Sequence, residues 1–203
     1  MKIICVGRNY ADHAKELNND VPKEPVFFMK PKNALMLPGK PMYYPEFTND
    51  LHYECELVVR ICKNGKYVGE KFAHKYYDAY TIGIDFTARD LQREQQQKGL
   101  PWEIAKAFDQ SALTGEWLPI DESVNIQDIS FSLLKNGETV QSGNSSNMIF
   151  SVNKIIAYVS KFITMNIGDL IFTGTPAGVG PVLPDDELVG LIGDRKIFDV
   201  LIK

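Results

Sequence analysis

Glu54 and Glu56 stand two residues apart at the head of Leu51-His52-Tyr53-Glu54-Cys55-Glu56-Leu57-Val58-Val59-Arg60-Ile61. The second half of that stretch is apolar and β-branched, which reads as a strand. Side chains alternate between the faces of a strand, so the two carboxylates project from one face, one pleat apart. Held side by side they repel each other and lose hydration. A hard divalent cation with oxygen ligands is the simplest compensation. A lone Glu-x-Glu is common, however, and more often means a strand face exposed to water or to cross-strand lysines. The chemical reading needs a third ligand and a substrate-handling group from elsewhere in the chain.

Several residues are candidates for those parts, each with a plainer alternative. His13 and Glu16 lie at i and i+3 in Tyr10 to Leu17, a helical stretch ending at Asn18-Asn19, so they share a face. Alone, such a pair is more often a solvated one. The loop signal Asn18 to Pro22 makes this opening helix a candidate mobile element. Lys30 closes the aromatic strand Val26 to Met29 and is either a snorkelling surface lysine, the commoner case, or a site cation. Asp85 ends a buried strand from Tyr80. Thr87-Ala88-Arg89-Asp90 then resembles a capping box that starts a helix through Lys98. That helix is polar nearly all round, so it presents Arg89 and Gln92 either to a site or to solvent. Lys106, among the apolar neighbours Leu100 to Phe108, needs an anionic partner.

The elements that must position these groups are mainly strands. Asn64-Gly65 and Asn136-Gly137 carry the type I′ hairpin signal. Phe72 to Tyr80 reads as a short helix or loop. Ser151 suits the cap of a helix whose Ile155, Ile156, Val159, Phe162 and Ile163 form an apolar core stripe. Leu170 to Phe172 enters the glycine-rich run Thr173-Gly174-Thr175-Pro176-Ala177-Gly178-Val179-Gly180. This run lacks the Lys-Ser/Thr of a phosphate loop and has proline where a dinucleotide fingerprint begins a helix, which argues against nucleotides. Its amides and Thr175 suit a carboxylate. Two strands near 188–192 and 196–202 close the chain.

With 203 residues and 44% apolar content, one β-rich α+β domain over residues 1–203 is expected. A formal charge of −4 gives no basic footprint for nucleic acid. No apolar run approaches the roughly 20 residues of a membrane span. Met1 to Arg8 turns polar too early for a secretory signal. Cys5, Cys55 and Cys62 are odd in number and without metal spacing, so reduced thiols and a cytoplasmic location are expected.

Taken in order, Gly7-Arg8-Asn9-Tyr10-x-x-His13-x-x-Glu16, Lys30-Pro31, Glu54-x-Glu56, Asp85-x-Thr87-x-Arg89-Asp90-x-Gln92, Lys106-x-Phe108-Asp109, Ser146-x-Met148-Ile149-Phe150 and Thr173-Gly174-Thr175-Pro176-x-Gly178-Val179-Gly180 resemble the fumarylacetoacetate hydrolase family. The resemblance covers nearly the whole chain. It is strongest to the short members that act as acylpyruvate hydrolases and oxaloacetate decarboxylases, without the additional N-terminal domain of fumarylacetoacetase itself. It implies a mixed, mainly β roll or sandwich of the family's C-terminal-domain type with short flanking helices, usually a homodimer. It implies that Glu54, Glu56 and Asp85 coordinate Mg²⁺ or Mn²⁺, and that His13 and Glu16 form a catalytic dyad on a helix that orders over substrate. It further implies that Lys106 stabilises an oxyanion and that Arg8, Lys30, Arg89, Gln92 and Thr175 hold the substrate.

The activity implied is metal-dependent C–C cleavage of a small 2-keto acid through the enolate of pyruvate, by hydrolysis of an acylpyruvate or decarboxylation of oxaloacetate. Isomerisation of a hydroxymuconate-type diacid is the alternative enzymatic reading. A non-catalytic β module with a structural cation is the remaining one, but it has no use for His13, Glu16, Arg89, Lys106 and Lys30.

Overall fold

The computed structural model describes residues 1–16 and 20–203, so the expected helix end at Asn18-Asn19 lies outside the described residues. In chain order the regular elements begin with β1 (Ile3–Gly7), α1 (Ala11–Glu16), β2 (Val26–Lys30), β3 (Leu51–Tyr53), β4 (Cys55–Ile61), β5 (Tyr77–Asp85) and β6 (Thr87–Ala88). They continue with α2 (Arg89–Lys98), α3 (Glu103–Lys106), β7 (Ala112–Thr114), β8 (Leu118–Pro119), β9 (Ser130–Lys135) and β10 (Glu138–Asn144). The last are α4 (Val152–Val159), β11 (Leu170–Phe172), β12 (Gly180–Pro181), β13 (Glu187–Ile192) and β14 (Arg195–Leu201).

The largest sheet runs β2-β1-β11-β4-β5-β7, with β8 also on β5, and curls into a half-barrel. It is mixed, because β1 and β11 are parallel while the other pairs are antiparallel. A second sheet, β10-β9-β13-β14, and a small one, β12-β3-β6, complete the mainly β roll, with short helices at its flanks. Alternation along β4 explains how the sheets meet. Cys55, Leu57, Val59 and Ile61 face a large core shared with Phe131, Leu133, Leu188 and Val200 of the second sheet. Val58 turns the other way, into a smaller cluster with Ile3, Cys5 and Phe172. Strands wetted on neither face read as near-continuous apolar runs, as β1, β4 and β11 do.

Several local expectations change. The Asn64-Gly65 pair is not a two-residue turn: β4 and β5 are joined by residues 62–76, which include a 3₁₀ helix over Glu70–Lys75, and Gly65 instead bridges to Met165. β5 begins at Tyr77, so the expected helix or loop to Tyr80 stops earlier. Asn136 and Gly137 both have positive φ, 53° and 84°, as a type I′ turn requires. Ser151 Oγ accepts from Lys154 N and caps α4. The helix ends at Val159; beyond it Ile163 still packs, half-buried, against the core, whereas Phe162 is 59% exposed. Among the described residues, no helix is long and apolar enough to cross a membrane.

Candidate active site

Glu54 is not inside a strand. It occupies the single residue between β3, which pairs in the small sheet, and β4, which pairs in the large one. The chain changes sheets there, and the Glu54 carbonyl accepts from Asp85 N at 2.9 Å, tying the break to the end of β5. Glu56 lies opposite Gly83 of β5. A Cβ on Gly83 would come within 2.2 Å of the Leu113 carbonyl oxygen, so this tightly layered sheet admits only glycine there. Carboxylate oxygens of Glu54, Glu56 and Asp85, one from each, lie within 4.8 Å of one another, and all three residues are buried.

Buried anions require compensation. Lys106 Nζ donates to Glu54 Oε2 at 2.7 Å, Asp85 Oδ2 at 2.9 Å and Thr87 Oγ1 at 2.6 Å, which uses its three protons. Arg89 donates to Glu54 Oε1 and, through its other terminal nitrogen, to Gln92 Oε1. Lys30 Nζ stands 2.7 Å from Asp85 Oδ1. That oxygen accepts no well-angled hydrogen bond. The remaining carboxylate, Glu56, receives the backbone N–H of Gly174 at 2.7 Å, where φ is +99° and a Cβ would meet that of Asn9 at 2.7 Å.

These contacts pull the carboxylates apart electrostatically. Burial pushes Glu54 upward, but the cations Lys106 and Arg89, together with His13, outweigh it and hold the carboxyl well below its ordinary range. Glu56 moves the opposite way: burial raises it, and repulsion from Asp85 and Glu54 adds to that, against only the Gly174 amide and the more distant Lys106. Burial alone would lower Lys106, yet Asp85 and Glu54 hold its ammonium above the ordinary lysine value. Three buried oxygen donors with one oxygen outside any hydrogen bond form a set that could hold a hard divalent cation.

His13 and Glu16 both lie on α1. His13 is buried, and its Nδ1 lies 3.1 Å from Glu16 Oε2. Glu16 also accepts from Gly178 N at 3.1 Å, which latches the helix to the glycine-rich loop. The amides of that loop therefore do receive carboxylates, but those of Glu56 and Glu16. Thr175 Oγ1 donates to the Cys55 carbonyl at 2.8 Å and accepts from Gln141 Nε2 at 2.8 Å.

A small cavity opens over the triad. Of the expected site residues, Arg8, His13, Glu54, Glu56, Asp85, Arg89, Gln92, Lys106 and Thr175 line it. Lys30 does not: its side chain is wholly buried, contacting Asp85 and the carbonyls of Phe86, Lys106 and Ser111. It is not the snorkelling surface lysine: its ammonium is used on Asp85 and on backbone carbonyls, outside the cavity lining. Glu16 acts on the cavity only through His13. The Thr87 capping box also dissolves: Ala88 is the cap residue, Thr87 faces Lys106, and Asp90 binds Thr48 Oγ1 and Asn49 N.

Sequence reasoning missed Phe28, Gln96 and Trp102 of the lining. Gln96 was accessible to it, being seven residues beyond Arg89 and four beyond Gln92 on one helical face. Phe28 and Trp102 come from separate elements, and their ring centroids are 5.8 Å apart in an edge-on contact that no spacing announces.

A mixed β roll carrying a buried carboxylate triad beneath a small polar cavity defines a class of enzymes. The chain belongs to the fumarylacetoacetate hydrolase family: the family description "Fumarylacetoacetate (FAA) hydrolase C-terminal" matches residues 2–198. It is 46% identical over 186 residues to the mouse (Mus musculus) oxaloacetate tautomerase FAHD1, mitochondrial, covering 92% of this chain and 84% of that protein. It is 40% identical to the mitochondrial oxaloacetate decarboxylase of Dictyostelium discoideum, over 100% of this chain and 94% of that one. Among solved structures, fumarylpyruvate hydrolase from Pseudomonas aeruginosa in complex with Mn²⁺ and pyruvate superposes with a TM-score of 0.94 at 38% identity, covering 100% and 89% of the two chains. A 5-carboxymethyl-2-hydroxymuconate delta-isomerase from Mycobacterium smegmatis superposes with a TM-score of 0.86 at 32% identity, covering 99% and 78%. This protein is an enzyme of that family.

Proposed function

We propose that the enzyme cleaves a C–C bond in a small 2-keto acid with the help of a divalent cation, by decarboxylating oxaloacetate, hydrolysing an acylpyruvate, or both. The observation carrying this reading is the buried triad Glu54, Glu56 and Asp85, with His13, held by Glu16, lining the same cavity. Glu54, Glu56 and Asp85 would hold Mg²⁺ or Mn²⁺, which as a Lewis acid would offset charge developing on the 2-keto oxygen.

The chain's own residues supply the rest. Arg89 and Gln92, both in the cavity lining, orient the substrate's carboxylate end. Glu16 fixes the His13 ring through Nδ1, so the imidazole takes a proton from water as general base. The hydroxide adds to the distal carbonyl of an acylpyruvate. The bond between C3 and that carbonyl carbon breaks, its electron pair forming the enolate of pyruvate as the acyl group departs as a carboxylic acid. His13 returns the proton to C3. Lys106, if it exchanges one of its carboxylate contacts, supplies a proton donor to the oxyanion. Oxaloacetate reaches the same enolate by losing CO₂, with no water added.

A second reading is favoured by the FAHD1 relative and the isomerase neighbour: His13 moves a proton between an enol oxygen and carbon without bond cleavage. Assembly as a homodimer belongs to the proposal, supported by the exposed apolar Val26, Met29 and Leu100 along one groove beside edge strand β2. So does residence in a reducing compartment, for which the three free cysteines speak. The names of two relatives make mitochondria as well as cytosol a place to look.

The test is pyruvate release from oxaloacetate and from acetylpyruvate with Mg²⁺ or Mn²⁺, against EDTA and Glu54→Ala controls, while the enol absorbance of oxaloacetate is followed. Metal-dependent pyruvate is the expected result. Loss of enol absorbance without pyruvate would replace cleavage by tautomerisation.

A further inference from the structure

Gln141 lies outside the cavity lining, on β10 of the second sheet, yet it is 2% exposed and every polar contact of its side chain runs to the site. Its position is set by a bulge: Thr139 pairs with Leu134 and Gln141 with Leu133, so Val140 is an extra residue in β10. Paired residues share a sheet face, and Leu133 is wholly buried in the large core. The bulge therefore turns an amide into an apolar interior, where its donors and acceptor need partners.

Those partners fix which way round the amide stands. Cys55 N donates to Gln141 Oε1 at 2.9 Å, and Gln141 Nε2 donates to the Pro176 carbonyl at 3.0 Å and to Thr175 Oγ1 at 2.8 Å. A backbone N–H can only donate and a carbonyl only accept, so oxygen and nitrogen cannot be exchanged. The Thr175 hydroxyl, accepting from the amide, commits its own proton to the Cys55 carbonyl at 2.8 Å. Cys55, the residue between Glu54 and Glu56, is thus held at its N–H by Gln141 and at its C=O through Thr175.

The same amide holds the glycine-rich loop. Thr175 and Pro176 lie between Gly174, whose N–H binds Glu56, and Gly178, whose N–H binds Glu16. A Cβ on Gly178 would come within 2.5 Å of the Val140 carbonyl oxygen and 3.3 Å of Gln141 Cγ, so the loop rests directly on the bulge. One side chain joins the segment carrying Glu54 and Glu56 to the loop that latches the His13 helix.

We propose that Gln141 is a positioning residue: without touching substrate, it sets the placement of His13 relative to the carboxylate triad. A buried amide that served folding alone could find its partners anywhere in the core. Here all three lie on the two segments that the chemistry needs in register, and misplacing reacting groups by about 1 Å costs on the order of 100-fold in rate.

Gln141→Met keeps the length of the side chain and removes the amide. Leu188→Ala, on β13 two strands away, takes packing from the same core and no hydrogen bond, and serves as the stability control. Amide hydrogen exchange at Gly174 and Gly178 reads the two latches with neither metal nor substrate present. Gln141→Met should speed exchange at both by about tenfold beyond the control. The second readout, which alone rests on the 2-keto acid reading above, uses Mn²⁺ and whichever of oxaloacetate or acetylpyruvate wild type turns over. There kcat should fall about 10–100-fold with KM within a factor of two, because Arg89 and Gln92 stay in place. Gln141→Asn, an amide one methylene too short to span Cys55 and the loop, should behave the same way and replaces the methionine form if that does not fold. Exchange no faster than in Leu188→Ala, or a kcat matching that control, would overturn the proposal. A wild type that turns over neither substrate would overturn the 2-keto acid reading, while exchange at the two glycines still decides what Gln141 holds.

Discussion

Lys30 Nζ stands 2.7 Å from Asp85 Oδ1, and Lys30 is not part of the cavity lining to which Asp85 belongs. A fully buried ammonium beside a buried carboxylate compensates its charge. Removing one partner of such a pair leaves the other charge buried and uncompensated, at a cost of about 3–5 kcal/mol. Lys30→Met is therefore expected to lower stability by that order in urea unfolding and to weaken Mn²⁺ binding. A variant that unfolds like wild type, with only KM raised, would return Lys30 to the role of a substrate contact.

His13→Ala should lower acylpyruvate hydrolysis by about 10²–10⁴-fold, the usual contribution of a general base. Mn²⁺ affinity should stay within a factor of two, and decarboxylation of oxaloacetate should persist, because it needs no activated water. Hydrolysis at the wild-type rate would remove the dyad from the mechanism.

Asp90 anchors the start of α2, the helix that carries Arg89 and Gln92. Burial raises its carboxyl, but hydrogen bonds from Thr48, then Asn49 and Leu91, outweigh this and leave it below the ordinary aspartate value of 3.8. A depressed carboxyl stabilises the fold above its unfolded value and loses that stabilisation as pH falls through its folded value. Asp90→Asn is thus expected to cost about 1–2 kcal/mol at pH 7. The difference from wild type should shrink below about pH 4, read from denaturation midpoints at several pH values. A difference that holds constant down to pH 2 would contradict the assignment.

Met29 is 43% exposed on edge strand β2 and Leu100 47% exposed in the same groove. An apolar sheet edge is a ready pairing surface. Sedimentation equilibrium should give twice the chain mass for wild type and the monomer mass for Met29→Glu/Leu100→Glu. A monomeric wild type would discard the homodimer.

How much of this was legible beforehand varied with the range of the contacts. The carboxylate at the end of β5, the His13 and Glu16 face of α1, the Asn136-Gly137 turn and the Ser151 cap are set by neighbours within a few residues, and each was readable. The Asn64-Gly65 turn and the Thr87 capping box failed for the converse reason. Pairing of Gly65 with Met165 and the bond from Lys106 to Thr87 outcompete the local preference.

Residue types and order alone determined that this chain carries a hard-cation donor set, a proton-transfer pair and several cations, because carboxylates, imidazole and ammonium have fixed chemistry wherever they fold. Only the tertiary structure decided which cation does what. Lys30 and Lys106 each look in sequence like one lysine among apolar neighbours, yet one pairs with Asp85 outside the cavity lining and the other bridges Asp85 to Glu54 within it. That difference comes from β2, β5 and α3 meeting across gaps of more than fifty residues between Lys30 and its partner and twenty-one between Asp85 and Lys106. Burial and charge pairing are properties of that meeting, and no local pattern encodes them.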